Sequence, residues 1–406
     1  MTIGHRWQRA ASGWQGEQRP LASLHQYTLQ ERMVFGRPLA ETLSTELARL
    51  GKQRVFIITN ASLADSAALS TLRRTLGEKD CGTFAGIRAH APREDVLAGA
   101  AAARAAGADL LLALGGGSVI DATKVMLLCL RHSYTEPAQL DAHAGAPWDT
   151  SAHQPPDAAQ WVRMLAVPTT FSAAEYTAVG GATESRTKAK QAFGNQMMMP
   201  QVVINDPAMT ATAPLNLLLS TGMKAVDHAV ERLTSKHANL YSDLVSETAL
   251  RMLAQGLKAL RHDADQPGLR AELQYGVFLS MAGMASGVRG GLSHGIAHVL
   301  GALADVPHGH TSCILLPAVM RWIADAIPER QARICAATGY VGNDAAAALT
   351  ALIEELGMPS RISQTAVRYE DLDLIAARTL HDPLIVNCPR KVENAAQVRA
   401  ILESAW

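Results

Sequence analysis

The sequence predicts a two-domain protein in which an α/β domain on a parallel sheet precedes an all-α domain. Three observations carry that expectation. The chain has 406 residues, more than one hydrophobic core ordinarily organises. Its first half alternates short β-branched runs with helix-forming stretches, the pattern of βαβ units with helices on both faces of a sheet. From about Thr210 onward the periodicity is helical almost throughout. A hydrophobic share of 48% against 18% charged residues supplies enough apolar material for both cores.

In chain order, residues 1–25 form a polar extension without the apolar stretch of a secretory signal, a surface arm or an oligomer contact. The β-branched run 54–60 reads as a strand, followed by helix through Leu72. The Ala-rich segment from Asp95 to Ala106 is a strong helix former and leads into a strand at 109–114. That strand runs into Gly115, Gly116 and Gly117, and the next helix is expected to begin at Ser118 with the serine as its cap. Residues 133–160 lack periodicity and read as a long surface loop. Strands follow at 162–167 and 202–204, the latter running into Asn205-Asp206-Pro207. The boundary is placed near Asp206, giving an extension at 1–25, an α/β domain at 26–206 and a helical domain at 207–406. No internal repeat is evident.

The glycine run is the first functional signal. Residues without a Cβ let backbone N–H groups approach phosphate oxygens, and a helix N-terminus adds partial positive charge. Three glycines at a strand–helix junction therefore point to a pyrophosphate cradle at the carboxyl end of a parallel sheet.

Composition excludes several classes. Lys plus Arg equals Asp plus Glu at 37 each, so no whole-chain field favours nucleic acid or an anionic membrane. No apolar stretch approaches the ~18 residues that span a bilayer. Five scattered cysteines without CxxC spacing signal neither a disulfide framework nor a thiolate metal site, and a reducing cytoplasm is expected.

The helical half holds a second signal. Lys224 and His228 are i and i+4 on one helix, which also carries Glu231, and His294 and His298 repeat that spacing. Val-Pro-His-Gly-His then supplies His308 and His310. Grouped histidines in an apolar stretch are costly without a role. Histidines at this spacing are ordinarily metal ligands, yet a cation at Lys224 opposes an ion, and Asp227 points about 100° away from His228 around the helix.

Several segments together resemble the iron-containing (group III) alcohol dehydrogenase family. They are Gly-Gly-Gly-Ser-Val-Ile-Asp-Ala-Thr-Lys at 115–124, Val-Pro-Thr-Thr-Phe-Ser-Ala-Ala-Glu-Tyr-Thr at 167–177, Asn-Asp-Pro at 205–207 and Thr-Gly-Met-Lys-Ala-Val-Asp-His-Ala-Val-Glu at 221–231. The 291–301, 307–310 and 387–392 segments continue the match in order. The resemblance covers all but the first twenty-odd residues and the 133–160 loop, and implies the dehydroquinate synthase-like fold with hydride transfer between its domains. It implies NADH or NADPH as cofactor, with Gly115, Gly116, Gly117, Ser118 and Asp121 at the pyrophosphate and ribose. Thr169, Thr170 and Thr177 would line the nicotinamide side, and Lys188 would approach the cofactor. Asn60, at the end of the second strand, is neutral and repels no 2′-phosphate, which leaves both nicotinamides possible.

Metal-dependent members of that family bind their ion through Asp and three His. The three imidazoles match His228, His294 and His308, but the Asp position holds Lys224. A unit charge at ~4 Å and an effective dielectric near ~20 is worth about 4 kcal/mol, enough to abolish ordinary divalent-metal affinity. Thr177 comes only seven residues after Thr170, a spacing similar to the metal-independent maleylacetate reductase branch. The resemblance thus implies an oxo-acid or aldehyde reductase in which the Lys224 ammonium replaces the metal at the carbonyl oxygen. One of His228, His294 or His308 would deliver the proton, and His298 would orient nicotinamide or substrate. No metal is expected, and the partners are a small substrate and a second copy of the chain in a homodimer. Three other readings stay open: a metal-dependent alcohol dehydrogenase, a lyase or hydrolase reusing the same cleft, and a binding protein that has lost its chemistry.

Overall fold

A computed structural model describes residues 24–145, 157–187 and 189–406. Its centre is a six-stranded parallel sheet of β1 (Arg32–Phe35), β2 (Val55–Ile58), β3 (Asp80–Phe84), β4 (Leu110–Gly115), β5 (Arg163–Pro168) and β8 (Val202–Asn205), ordered β1-β8-β5-β4-β2-β3. The remaining strands, β6 (Val179–Glu184) and β7 (Ala189–Gly194), form an antiparallel hairpin. Crossovers are α1 (Leu39–Leu50), α2 (Ala67–Leu76), α3 (Arg93–Ala105) and α4 (Gly117–His132).

Alternation along β4 divides the core in two. Leu110, Leu112 and Leu114 pack with Val55, Ile57 and residues of α1 and α2 on one face. Leu111 and Ala113 pack with Phe56, Ile58 and residues of α3 and α4 on the other, in a core that continues into the helical half. Strands buried on both faces read as unbroken apolar runs, as β4 does. β2 lies between β3 and β4, and the helices that follow β2 and precede β4 lie on opposite faces. The carboxyl ends of β2 and β4 therefore flank a topological switch point, where open α/β sheets hold their ligands.

After Asn205 come only helices: α5 (Pro207–Thr210), α6 (Leu215–Thr234), α7 (Leu240–His262), α8 (Pro267–Ala282), α9 (Leu292–Ala304), α10 (His308–Ile323), α11 (Pro328–Thr338), α12 (Ala345–Glu355), α13 (Leu372–Thr379) and α14 (Ala395–Ser404). Asp206 caps α5 by accepting from Ala208 N and also accepts from Leu39 N at 2.8 Å, tying the two halves. The parallel sheet and the helical half agree with the expected fold class.

Several local expectations differ. The stretch from Ala61 to Leu72 is a 3-10 turn at Ala61–Leu63 and then α2, because Ser66 caps a fresh helix through Leu69 N. β1, β3 and the hairpin have too little β-branched periodicity to announce themselves. The expected 133–160 loop contains a 3-10 turn at Pro137–His143, and its 146–156 portion lies outside the described residues, as do residues 1–23 of the expected extension. Buried Arg93 anchors the hairpin, bonding Gln191 of β7, Pro137 O and Asp141. Among the described residues no helix is long and apolar enough to cross a membrane, and all five cysteines are free thiols.

Candidate active site

The glycine run sits at the switch point. β4 ends at Gly115 and α4 begins at Gly117, one residue earlier than expected, with Gly116 as a cap that offers no side-chain acceptor. Ser118 is therefore not the cap; its hydroxyl instead accepts from His90 N at 3.2 Å. The orphan N–H groups of the first turn are thus left for a ligand. The loop after β5 presses on this turn. A Cβ on Gly116 would lie 3.0 Å from Thr170, and one on Gly117 would lie 3.2 Å from the Ser172 hydroxyl. Thr169 and Thr170 are buried, Thr169 N donates to Gly115 O, and Thr170 Oγ1 has no partner. Asn60 stands across the switch point after β2, its side chain engaged by Leu63 N and Ser62. An uncapped first turn with no room for side chains fits a dinucleotide phosphate.

Asp121, one turn along α4, lies 3.9 Å from Lys190 of β7. Lys190, absent from the sequence reading, is the hairpin lysine that faces the cleft; Lys188 lies outside the described residues. The two sit two positions apart in Thr-Lys-Ala-Lys, and the alternation of a strand puts such a pair on one face, so it offered no signal for choosing between them.

Thr177 has a different environment from the one expected. Its hydroxyl takes a hydrogen bond from Lys124 at 3.0 Å, and the same ammonium donates to Ala174 O at 2.5 Å and Val179 O at 2.8 Å. Lys124 is completely buried, and burial brings its pKa down to about 8. It straps the β5–β6 connection onto α4.

In the helical half four imidazoles converge from three helices. His228 of α6 stacks on His294 of α9 with centroids 4.7 Å apart. His308, the first residue of α10, lies 5.5 Å from His294 and 5.8 Å from His298. His310 makes none of these ring contacts and falls outside the cluster. Lys224, one turn before His228, is half-buried and reaches toward the sheet half, donating to Ser172 O at 3.3 Å. Its ammonium thus stands between the glycine cradle and the imidazoles. Burial, countered in part by Asp121, brings its pKa down to about 8.

Two carboxylates that the sequence reading did not assign hold the cluster. Glu231, a turn after Asp227, closes the N-terminus of α9: its oxygens accept from Gly291 N at 2.7 Å, Ser293 N at 2.6 Å and His294 N at 3.3 Å. It also accepts from His294 Nδ1 at 2.7 Å. Asp382 accepts from His298 Nδ1 at 2.8 Å and from Leu384 N. Both leave Nε2 as the free end of the ring, the arrangement that fixes tautomer and direction. Neither was legible from spacing, because each meets its histidine from a distant segment.

Burial sets the protonation pattern. It pushes His228 and His308 well below the ordinary imidazole value, with the Lys224 charge adding to the effect on both, so they are neutral. For His294 burial pulls the same way, but Asp227 and Glu231 override it and raise the ring. Asp227, buried and bonded by the Ser293 hydroxyl at 2.9 Å, is lifted by burial to about 7.

Asp227, Glu231 and His294 bring three ligand-type atoms together. All four donors on Glu231 come from the protein, and the His294 nitrogen in that group is the one Glu231 already holds. That group reads as a support for His294. The opposite nitrogen, His294 Nε2, is buried without a protein partner. Around it stand two further imidazoles and an ammonium: three imidazoles alone are a set that can hold zinc, but the Lys224 charge beside them opposes a cation.

A cavity of about 290 Å³ opens between the hairpin and α9, walled by His90, Thr183, Lys190, His298, Asp305 and His308. His90 Nε2 meets Asp305 at 3.0 Å across its mouth.

Residues 30–207 match the family model described as iron-containing alcohol dehydrogenase, and residues 218–406 match that of the Fe-containing alcohol dehydrogenase family, C-terminal. The chain is 29% identical over 381 residues to a maleylacetate reductase of Rhizobium sp., covering 93% of this chain and 96% of that one. It is 30% identical to a 1,3-propanediol dehydrogenase of Klebsiella pneumoniae, covering 94% and 98%. A solved maleylacetate reductase from Agrobacterium tumefaciens superposes with a TM-score of 0.78 at 26% identity, covering 95% and 98%.

Proposed function

The chain belongs to the iron-containing alcohol dehydrogenase family and is an oxidoreductase, and from that premise we propose that it is a metal-independent, NAD(P)H-dependent reductase of a small oxo-acid or aldehyde, similar to the maleylacetate reductases. One observation carries the reading: Lys224 occupies the cleft between the glycine cradle and three imidazoles, with its pKa held near 8.

The cradle of Gly115, Gly116, Gly117 and Ser118, with Asp121 and Lys190 beside it, would hold the dinucleotide; Thr169 and Thr170 form its inner wall. When bound, the reduced nicotinamide supplies a hydride to the carbonyl carbon. The chain's own residues handle the charge and the proton. As the C=O double bond opens, negative charge gathers on oxygen, and the Lys224 ammonium stabilises it in a partly dehydrated site. A proton then passes to that oxygen from Lys224 or from the Nε2 end of His294, completing an alcohol. His228 and His308, kept neutral by burial, bond the oxygen without adding repulsion to Lys224. Glu231 and Asp382 aim His294 and His298. Asn60 carries no charge that would oppose a 2′-phosphate, so NADH and NADPH are both candidate donors.

The direct experiment combines metal analysis of untagged protein with NADH and NADPH oxidation in the presence of chelator. Metal-free, chelator-resistant turnover supports the reading. Stoichiometric iron or zinc with chelator-sensitive turnover overturns it in favour of a metal-dependent alcohol dehydrogenase, a reading that the unpartnered His294 Nε2 favours. Turnover of substrate without net nicotinamide consumption would place the chain among lyases or hydrolases.

A further inference from the structure

Two residues whose backbone lies in the left-handed region meet across the cleft. His90, in the β3–α3 connection, has φ +60°, and Asp305, directly after α9, has φ +53°. Glycine enters that region without strain and is the usual residue where a helix ends in it, as α9 does at Asp305. At both positions the chain carries a polar side chain instead, and these two side chains bond each other. His90 Nε2 lies 3.0 Å from an Asp305 carboxylate oxygen. Burial and the Lys190 charge push the His90 imidazole below its ordinary value, against the pull of Asp305. At neutral pH the ring is therefore uncharged, and its Nε2–H donates to the carboxylate. Strained backbone that holds a specific contact points to a role for the contact.

The backbone of His90 is fixed from two further sides. Its N–H donates to the Ser118 hydroxyl at 3.2 Å, and its carbonyl accepts from the Thr183 hydroxyl of β6 at 2.8 Å. One residue thus joins the first turn of α4, the hairpin and, through its side chain, the helical half. The Ser118 oxygen is the acceptor in its contact, which leaves the hydroxyl hydrogen for a phosphate on the cradle. A hydroxyl that donates strengthens the bond its oxygen accepts. An occupied cradle therefore tightens its hold on His90.

The contact also stands in the right place. His90 and Asp305 line the cavity of about 290 Å³ that His298 and His308 wall. The Asp305 side chain is 88% exposed, which puts the bond at the outer rim, between water and the imidazoles. A contact this exposed is weak, as a closure that opens at each turnover has to be.

Resting on the reductase reading above, we infer that His90 is a positioning residue whose bond to Asp305 latches the sheet half to the helical half over a bound nicotinamide dinucleotide. It acts through Ser118 on one side and Asp305 on the other. Closing this rim keeps water from the imidazole cluster and slows departure of the dinucleotide.

The test is the rate at which NADH or NADPH leaves the full-length protein, read by stopped-flow nicotinamide fluorescence on displacement by excess oxidised cofactor. Asp305→Gly suits the left-handed end of α9 and removes only the carboxylate. It should raise the release rate about two- to fivefold. His90→Asn, a residue that also tolerates positive φ but is too short to reach Asp305, should raise it by the same factor. The double variant should release no faster than either single one, because all three lack the same bond. Asp305→Asn, which keeps an acceptor for the imidazole, should return the rate close to that of wild type. An unmoved rate in either single variant, or effects that multiply in the double variant, would overturn the latch and leave the reductase reading intact. Absence of any fluorescence change on mixing with NADH and with NADPH would instead overturn the reductase reading and this inference with it.

Discussion

The sheet half and the helical half each bury a lysine, and the two lysines have opposite surroundings. Lys124 of α4 is sealed from solvent and meets three oxygens at 2.5–3.0 Å. Lys224 of α6 is half-exposed to the cleft and has one bond of 3.3 Å. Burial brings both down to about 8. The same shift in titration thus comes with different capacities. A saturated ammonium strengthens the fold around it, whereas an under-coordinated one has donors left for a substrate. A perturbed pKa does not identify the chemical residue; the count of unmet donors does.

The sharpest way to break this contrast is to replace each lysine with Met. Lys224→Met should lower kcat/KM for carbonyl reduction by about 10³-fold, since it removes a charged donor at the developing oxyanion. Nicotinamide fluorescence titration should still report cofactor binding. Lys124→Met should act on folding instead. It removes the ammonium from the Ala174 and Val179 carbonyls, of which the single Thr177 hydroxyl hydrogen can serve only one, and costs about 2–4 kcal/mol in urea denaturation. A catalytic collapse in Lys124→Met without loss of stability would reverse the two assignments.

A smaller effect is expected one layer out, at the carboxylate that aims His294. Glu231→Gln keeps the size of the side chain but cannot accept all four of the N–H groups now on Glu231. The loss in kcat should be about 10²-fold, less than for Lys224 because the amide oxygen still accepts some of them. The limb on which activity falls as His294 loses its proton, the alkaline side of the profile, should move to lower pH, since the Glu231 charge is one of the forces raising His294. A loss in kcat with an unmoved limb would make Glu231 a cap of α9 and nothing more.

How far the sequence could be read follows the same division. The glycine run was legible because β4, buried on both faces, is an unbroken apolar run that ends abruptly. The imidazole cluster was legible because i, i+4 spacing survives folding: His228, His294, His298 and His308 do converge. His310 shared their local pattern but not their place, since α10 starts at His308 and turns the later residue away from the rings. The supposed Ser118 cap failed because a tertiary partner, His90 N, claimed the hydroxyl. Lys190, Glu231 and Asp382 were illegible as site residues for a common reason: each earns its role from a neighbour many positions away.

The last and smallest expected effect separates the chemistry of Lys224 from its cost to folding. At pH 7 a group with a pKa near 8 is about nine-tenths protonated, so the ammonium is present. Above pH 8 kcat/KM should fall about tenfold per unit as it deprotonates. Lys224→Arg, slower overall but always charged, should lose that limb. Stability should move the other way. Because the folded pKa lies below the ordinary 10.5, the unfolded chain binds more protons between about 8 and 10.5, and the Lys224 contribution to stability rises with pH across that window. Lys224→Met should therefore be more stable than wild type at pH 7, with the gap closing as the pH approaches 10. Thermal melts at four pH values, beside rates on the same samples, read both slopes. A gap that stays constant with pH would mean that the Lys224 ammonium is not dehydrated in the folded cleft, and the contrast with Lys124 would collapse to hydrogen-bond count alone.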